Sequence, residues 1–268
     1  TGIQVSTYCF EEVFAEKVRA LAERLRPRDL YDVVHLYRRK ELNPDLPQLM
    51  HALREKCAFK KIDVPDFASI QVSPLITELQ VSWAQMLAHQ LPELPPFDGF
   101  WRELPAVFDW LHGRADQPVM AGFAVGADTD ASWRMPAMAS SWRSLGIGAP
   151  MEVIRFAAAN RLCVQLDYRK ESGERTQPVI EPYSLRRTRD GAFLLYGVKS
   201  DTGEDRSYRV DRIAGATVTQ RSFTARYLVE LTETGVQPAP GVARPATTAA
   251  REVLRAPKPS SPKAKTTM

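Results

Sequence analysis

The chain has 268 residues, 44% of them apolar and 25% charged, the balance of a water-soluble protein of one large or two ordinary domains. No apolar run approaches the roughly 20 residues that span a bilayer, and no basic stretch leading into an apolar one opens the chain, so a cytoplasmic location without membrane insertion is expected. The net charge of +4 sits wholly in residues 233–268, where six Lys/Arg stand against two Glu among six prolines; this tail cannot bury enough apolar surface to fold and is expected to be disordered, so the charge is no nucleic-acid signature of the folded part.

The chain starts at Thr1 with strand-like Ile3-Gln-Val5, as if cut from something longer. Residues 6 to about 115 read as helices. In the first, Phe10, Phe14, Leu21, Leu25 and Val18 cluster within about 80° of arc at roughly 100° per residue. Lys17 falls near −20° on that scale, between Val13 and the cluster. Lysine belongs on the opposite face of an amphipathic helix, so this position is the first place to look for function; the plain alternative is a stem buried with its ammonium snorkelling to water.

Pro27 then starts a second helix, with Leu30, Val33, Val34 and Tyr37 as its stripe and Asp29 in the first turn, where the dipole favours an anion. Ser73 and Pro74 announce a further helix carrying Leu75, Leu79, Trp83, Met86 and Leu87. A segment from Phe100-Trp101 to Trp110-Leu111 supplies core aromatics. Residues 116–150 are a connector of small residues, with Trp133 and Trp142 set to pack on a neighbour.

From Met151 the pattern changes. A short helix over Val153–Asn160 leads into Leu162, Val164, Leu166 and Tyr168, which alternate with polar residues as in a half-buried strand. Turns at Ser172-Gly173, Asp190-Gly191 and Asp201-Thr-Gly203 separate further strands, Asp190-Gly191 being a strong hairpin signal between Ser184-Leu185 and Phe193–Tyr196. Four or five short strands in about 70 residues describe a small barrel. The fold class is therefore α+β: helical residues 1–115, connector 116–150, barrel 151–232 and tail 233–268. Cys9, Cys57 and Cys163 are too scattered for a disulfide framework, and His35, His51, His89 and His112 show no metal-ligand spacing, so no structural metal is expected.

Glu12-x-x-x-Glu16-Lys17-x-x-Ala20-Leu21, followed by Arg28-Asp29-Leu-Tyr-Asp32, resembles the AbiEii/AbiGii toxin family of bacterial nucleotidyltransferases from abortive-infection and toxin–antitoxin systems. The likeness covers about residues 3–112 and is most specific over 10–37. It implies a polymerase-β-like core that uses NTP and Mg²⁺, modifies tRNA in characterised relatives and is countered by a cognate antitoxin. Carried over by motif, Lys17 is the phosphate-binding lysine, Asp29 the late catalytic or orienting carboxylate, and Arg28 a substrate-binding residue beside it. The family's metal motif, a glycine turn followed by paired aspartates, has no counterpart, since Gly2 is the only glycine before Gly99. The chain alone is thus expected not to catalyse transfer.

Tyr168-x-x-x-Ser172-Gly173, Glu181-Pro182-Tyr-Ser-Leu185, Phe193-Leu-Leu-Tyr196 and Arg206-x-Tyr-Arg-Val-Asp211-Arg212-Ile213 resemble a WYL domain, a small Sm-like barrel that senses ligands. Ala192-Phe193-Leu194 stands where that family has Trp-Tyr-Leu. The resemblance implies a nucleotide or nucleic-acid ligand, for which Arg206, Tyr208, Arg209 and Arg212 are candidates. Strand alternation puts Arg206, Tyr208, Val210 and Arg212 on one face and Arg209 and Asp211 on the other. The plain alternative is local pairing of Arg209 and Arg212 with Asp211, Asp205 or Glu204. Arg186-Arg187-Thr-Arg189 reads as a solvated edge guard. Three functions follow: a toxin-type nucleotidyltransferase portion with a sensory barrel, a non-catalytic regulator on a helical scaffold, or a nucleic-acid-binding module working through tail and barrel.

Overall fold

Several helices of the first half begin or end on a local signal. In the computed structural model, which describes residues 8–39, 43–116, 120–130, 132–133, 148–232 and 235–236, α1 spans Phe10–Arg24. Glu12 accepts the Cys9 backbone N–H at its start. Leu25 closes it in the left-handed region (φ 44°), its N–H reaching the Leu21 carbonyl. Two residues later Pro27 opens α2 (Pro27–Arg38), so the chain turns a corner with no loop to spare. α3 (Leu46–Lys60) is capped by Asp45, whose side chain accepts from Gln48 N–H. The short α4 (Phe67–Gln71), α5 (Ile76–Leu87) and α6 (Phe97–Leu111) complete this half. Their shared core includes Phe14, Leu21, Leu30, Leu53, Phe100 and Phe108.

Two of these helices, α3 and α4, went unread in the sequence. α5 starts two residues later than its Ser73-Pro74 signal, because those residues form a preceding turn in which the Ser73 hydroxyl accepts from Leu75 N–H.

A separate core forms in the second half, around Met151, Ile154, Leu166, Tyr183, Leu185 and Val198. α7 (Gly148–Ala159) lies on a curled antiparallel sheet, half of a barrel. Its strands are β1 (Leu162–Arg169), β2 (Arg175–Thr176), β3 (Val179–Arg187), β4 (Phe193–Lys199), β5 (Asp205–Arg209) and β6 (Ile213–Ser222), and a small hairpin, β7 (Leu231–Thr232) with β8 (Gly235–Val236), follows. The order is β2-β1-β3-β4-β5, with β6 on the other side of β1. The β3–β4 hairpin turns at Asp190-Gly191 as expected, Gly191 taking a φ of 91° that an L side chain rarely adopts. The architecture is α+β, helices first and a curled sheet after. Trp142, the segment Ile3-Gln-Val5 and residues 237–268 of the tail lie outside the described residues.

The halves meet where α2 touches the end of α7. Tyr31 Oη donates to Asn160 Oδ1 at 3.0 Å, and a His35 ring nitrogen stands 3.3 Å from the same oxygen. Arg38 donates to the Ala159 carbonyl at 2.8 Å while its other donors hold Glu103 at 2.7 and 3.1 Å. A cation on the last carbonyls of a helix also answers its dipole.

Candidate functional site

The corner between α1 and α2 brings together residues of both segments of the first motif. Lys17 Nζ lies 2.6 Å from Asp32 Oδ2, with the two side chains 33% and 38% exposed. On this helix Phe14, Ala15, Val18, Arg19, Ala20 and Leu21 are buried while Val13 is exposed. Lys17 falls between buried Ala20 and Leu21 on the helix wheel. Its stem is partly covered and its ammonium is within reach of water.

Asp29 has a different place. It is completely buried, and its two oxygens accept from Arg24 Nε at 2.7 Å and Nη2 at 2.8 Å. This bidentate pair bolts the last turn of α1 to the first turn of α2. It holds the Arg24 guanidinium more firmly protonated than usual, chiefly through the hydrogen bond to Asp29. Arg28 next to it is exposed. The structure thus joins Lys17 to Asp32, which the sequence reading had not singled out, and not to Asp29.

A second residue the sequence reading missed is Arg19, buried to 7% exposure between Glu16 and Glu23. Hydrogen bonds to Arg19 hold both glutamates below the usual carboxylate range. The spacing Glu16-x-x-Arg19-x-x-x-Glu23 was the available signal, since residues three and four apart are neighbours on a helix.

These pairings bear on metal binding. Glu16 and Glu23 face Arg19, Asp29 faces Arg24, Asp32 faces Lys17, and Glu11 and Glu12 accept backbone N–H groups. Among the described residues no group of three or more His, Cys, Asp or Glu converges to hold an ion. Mg²⁺ needs several oxygens around one point, so the residues of this corner do not fit it.

The barrel arginines do not converge either. Arg206 donates to Glu204 at 2.8 Å, Arg209 holds Asp211 through two bonds of 3.1 and 2.8 Å, and Arg212 stands 3.6 Å from Glu171. Strand alternation does not run through this motif, because β5 ends at Arg209 and Val210–Arg212 form a 3₁₀ turn. Tyr208 is buried edge-on against Tyr168 at 5.2 Å between ring centres, and burial pushes its phenol up to about 12. Arg186 pairs inward with the buried Glu230, and Arg187 with Asp130 at 2.7 Å, so neither is a plain edge guard.

Residues 1–112 match the family model described as nucleotidyl transferase AbiEii toxin, type IV TA system. Residues 150–218 match the model of the WYL domain. Among solved structures, proteasome accessory factor B/C (PafBC) of Arthrobacter aurescens is similar over 42% of this chain, at 18% identity and a TM-score of 0.26, and the chain covers 17% of that protein. No curated protein matches. Among the described residues, no helix is long and apolar enough to cross a membrane.

Proposed function

We propose that this chain, an AbiEii nucleotidyltransferase segment joined to a WYL domain, serves in a bacterial toxin–antitoxin and phage-defence system in the cytoplasm. The reaction is transfer of a nucleotidyl group from NTP to an RNA hydroxyl, with tRNA as the acceptor. The hydroxyl oxygen attacks the α-phosphorus and gives up its proton to water, the bond to the bridging oxygen breaks, and pyrophosphate leaves with the electron pair. Lys17 neutralises the charge that gathers on the phosphates. Asp32 keeps the ammonium at the surface until phosphate displaces it, and Asp29 is a positioning residue that acts through Arg24. Arg28 is free in this scheme to meet the substrate from outside.

What supports this reading is the 2.6 Å Lys17–Asp32 pair, a contact between the two motif segments that water and a ligand can reach from outside. The family implies Mg²⁺ as well as NTP, but the acids of this corner are engaged elsewhere, so no step here is routed through a metal. The chain on its own is accordingly proposed to bind nucleotide without completing transfer, its expected protein partner being a cognate antitoxin. The WYL domain senses a ligand.

Equilibrium dialysis of radiolabelled ATP against the whole chain tests the assignment. Lys17→Ala should weaken binding about tenfold, the worth of one charged hydrogen bond. Equal binding by wild type and variant would remove Lys17 from the phosphate site. Incorporation of label from α-labelled NTP into tRNA by the chain alone would overturn the proposed inactivity.

A non-catalytic regulator is the second reading, and one observation favours it: every acid of α1 and the two of α2 already has a partner or caps a backbone group. Absence of ATP binding in the dialysis would select it.

A further inference from the structure

The junction between the halves holds a cavity of about 270 Å³, bounded by the end of α2, the start of α6 and the barrel. Its walls are largely apolar and include Tyr37, Phe100 and Phe223. Charge enters from Arg38, Arg102, Glu103 and Arg161. Three guanidiniums and one carboxylate leave an excess of positive charge in a partly open space with largely apolar walls.

The excess is concentrated on Arg161. Arg38 is committed to Glu103 and to the Ala159 carbonyl, and Arg102 is exposed at the rim. Arg161 spends one donor on the Ala158 carbonyl at 2.8 Å. Among the described residues no carboxylate lies within ion-pair distance of it. A guanidinium offers five donors, so most of this one's capacity is unspent against the cavity. Burial, and then repulsion from Arg38, draw it down to about 9, as expected where a cation lacks an anion.

The backbone fixes this placement. Arg161 sits at φ 57°, its carbonyl accepting Phe223 N–H at 2.9 Å, between the end of α7 and the start of β1. This is the left-handed conformation that also closes α1 at Leu25 and α3 at Lys61, and here it fixes where the side chain leaves the backbone. A cationic group facing a cavity between two domains is a sound place to seek a ligand.

We infer that this cavity binds a small organic anion, a single phosphate or carboxylate on a flat apolar body, with Arg161 as the principal anion contact and Arg102 guarding the mouth. The assignment stands apart from nucleotidyl transfer and from Lys17. It places the ligand between the domains rather than on the β5 arginines. Its walls belong to both halves, so occupancy would brace the Arg38–Ala159 and Tyr31–Asn160 contacts.

Isothermal titration of the whole chain tests this with two anionic probes, AMP and indole-3-acetate, and their neutral counterparts, adenosine and indole. At least one anion should bind, about tenfold or more above its neutral counterpart. The member that binds tells whether the anion is a phosphate or a carboxylate. Arg161→Gln should erase the preference for the anion. Arg102→Ala, at an exposed position with no folding role, should weaken the same probe about threefold, and it carries the test if Arg161→Gln does not fold by circular dichroism. Failure of both anions to bind, or unchanged affinity in the variant that is folded, overturns the assignment. Loss of ATP binding in Lys17→Ala with AMP or indole-3-acetate binding intact would separate this site from the α1–α2 corner.

Discussion

Two ion pairs tie α1 to α2 across the same corner, and they differ in what water can do to them. Arg24–Asp29 is bidentate, with Asp29 wholly buried. Lys17–Asp32 is a single contact between two side chains that are each about a third exposed. A carboxylate sealed against a planar guanidinium has no lone pair directed outward for a substrate. An ammonium held by one exposed acid can exchange that partner for a phosphate. Burial, more than membership of a motif, decides which acid of Arg28-Asp29-Leu-Tyr-Asp32 is available for chemistry.

The contrast breaks most readily at Arg24. Arg24→Ala leaves the Asp29 carboxylate buried with no counter-charge, and the expected loss is about 3 kcal/mol, read as a lower urea midpoint. Asp29→Asn should cost less, because Arg24, 47% exposed, can turn its charge to water. If both variants lose under about 1 kcal/mol, water reaches Asp29 and the corner holds two equivalent pairs.

The next effect belongs to the junction. Burial, with Arg38 adding to it, lowers the His35 pKa well below its usual value, so the imidazole is neutral in the folded protein. The unfolded chain binds a proton there below about pH 6.5 while the folded chain does not. Stability from this group is therefore complete above that pH and falls as pH drops below it, by at most about 1.4 kcal/mol per pH unit. His35→Gln should flatten the part of the acid dependence between about pH 6.5 and 5 measured by urea unfolding. Identical slopes for wild type and variant would mean that His35 takes up its proton in place, hydrogen-bonded to Asn160.

What sequence could and could not reveal follows the range of the forces involved. Pro27, the spacing of Leu30, Val33 and Val34, and the Asp190-Gly191 turn are local, and the corresponding elements formed where expected. α3 gives a weak sequence signal because only Leu49, Met50, Leu53 and Cys57 of its fifteen residues are buried and Phe59 lies exposed. Periodicity marks the Lys17 position but not its partner Asp32. Leu25 in the left-handed region swings the end of α1 back over α2, and only that turn decides that Arg24 covers Asp29 and leaves Asp32 for Lys17. The junction had no local signal at all: Tyr31 and Asn160 are 129 residues apart. Around Arg206–Arg212 the shortfall has the opposite source: strand alternation predicts faces for residues up to Arg212, but the strand gives way to a turn after Arg209.

The smallest expected change sharpens the contrast most. Lys17→Ala should alter stability by no more than about 0.5–1 kcal/mol, because an exposed pair gains little over its separate hydration and gives up side-chain freedom to form. A double-mutant cycle of Lys17→Ala and Asp32→Asn should show coupling of about 0.5 kcal/mol, against a few kcal/mol for Arg24→Ala with Asp29→Asn. A lysine that adds almost nothing to the fold and yet controls ATP binding would have its cost explained by ligand alone. Coupling as large as that of the buried pair would instead make Lys17–Asp32 a second bolt of the corner, and the phosphate role would lose its structural support.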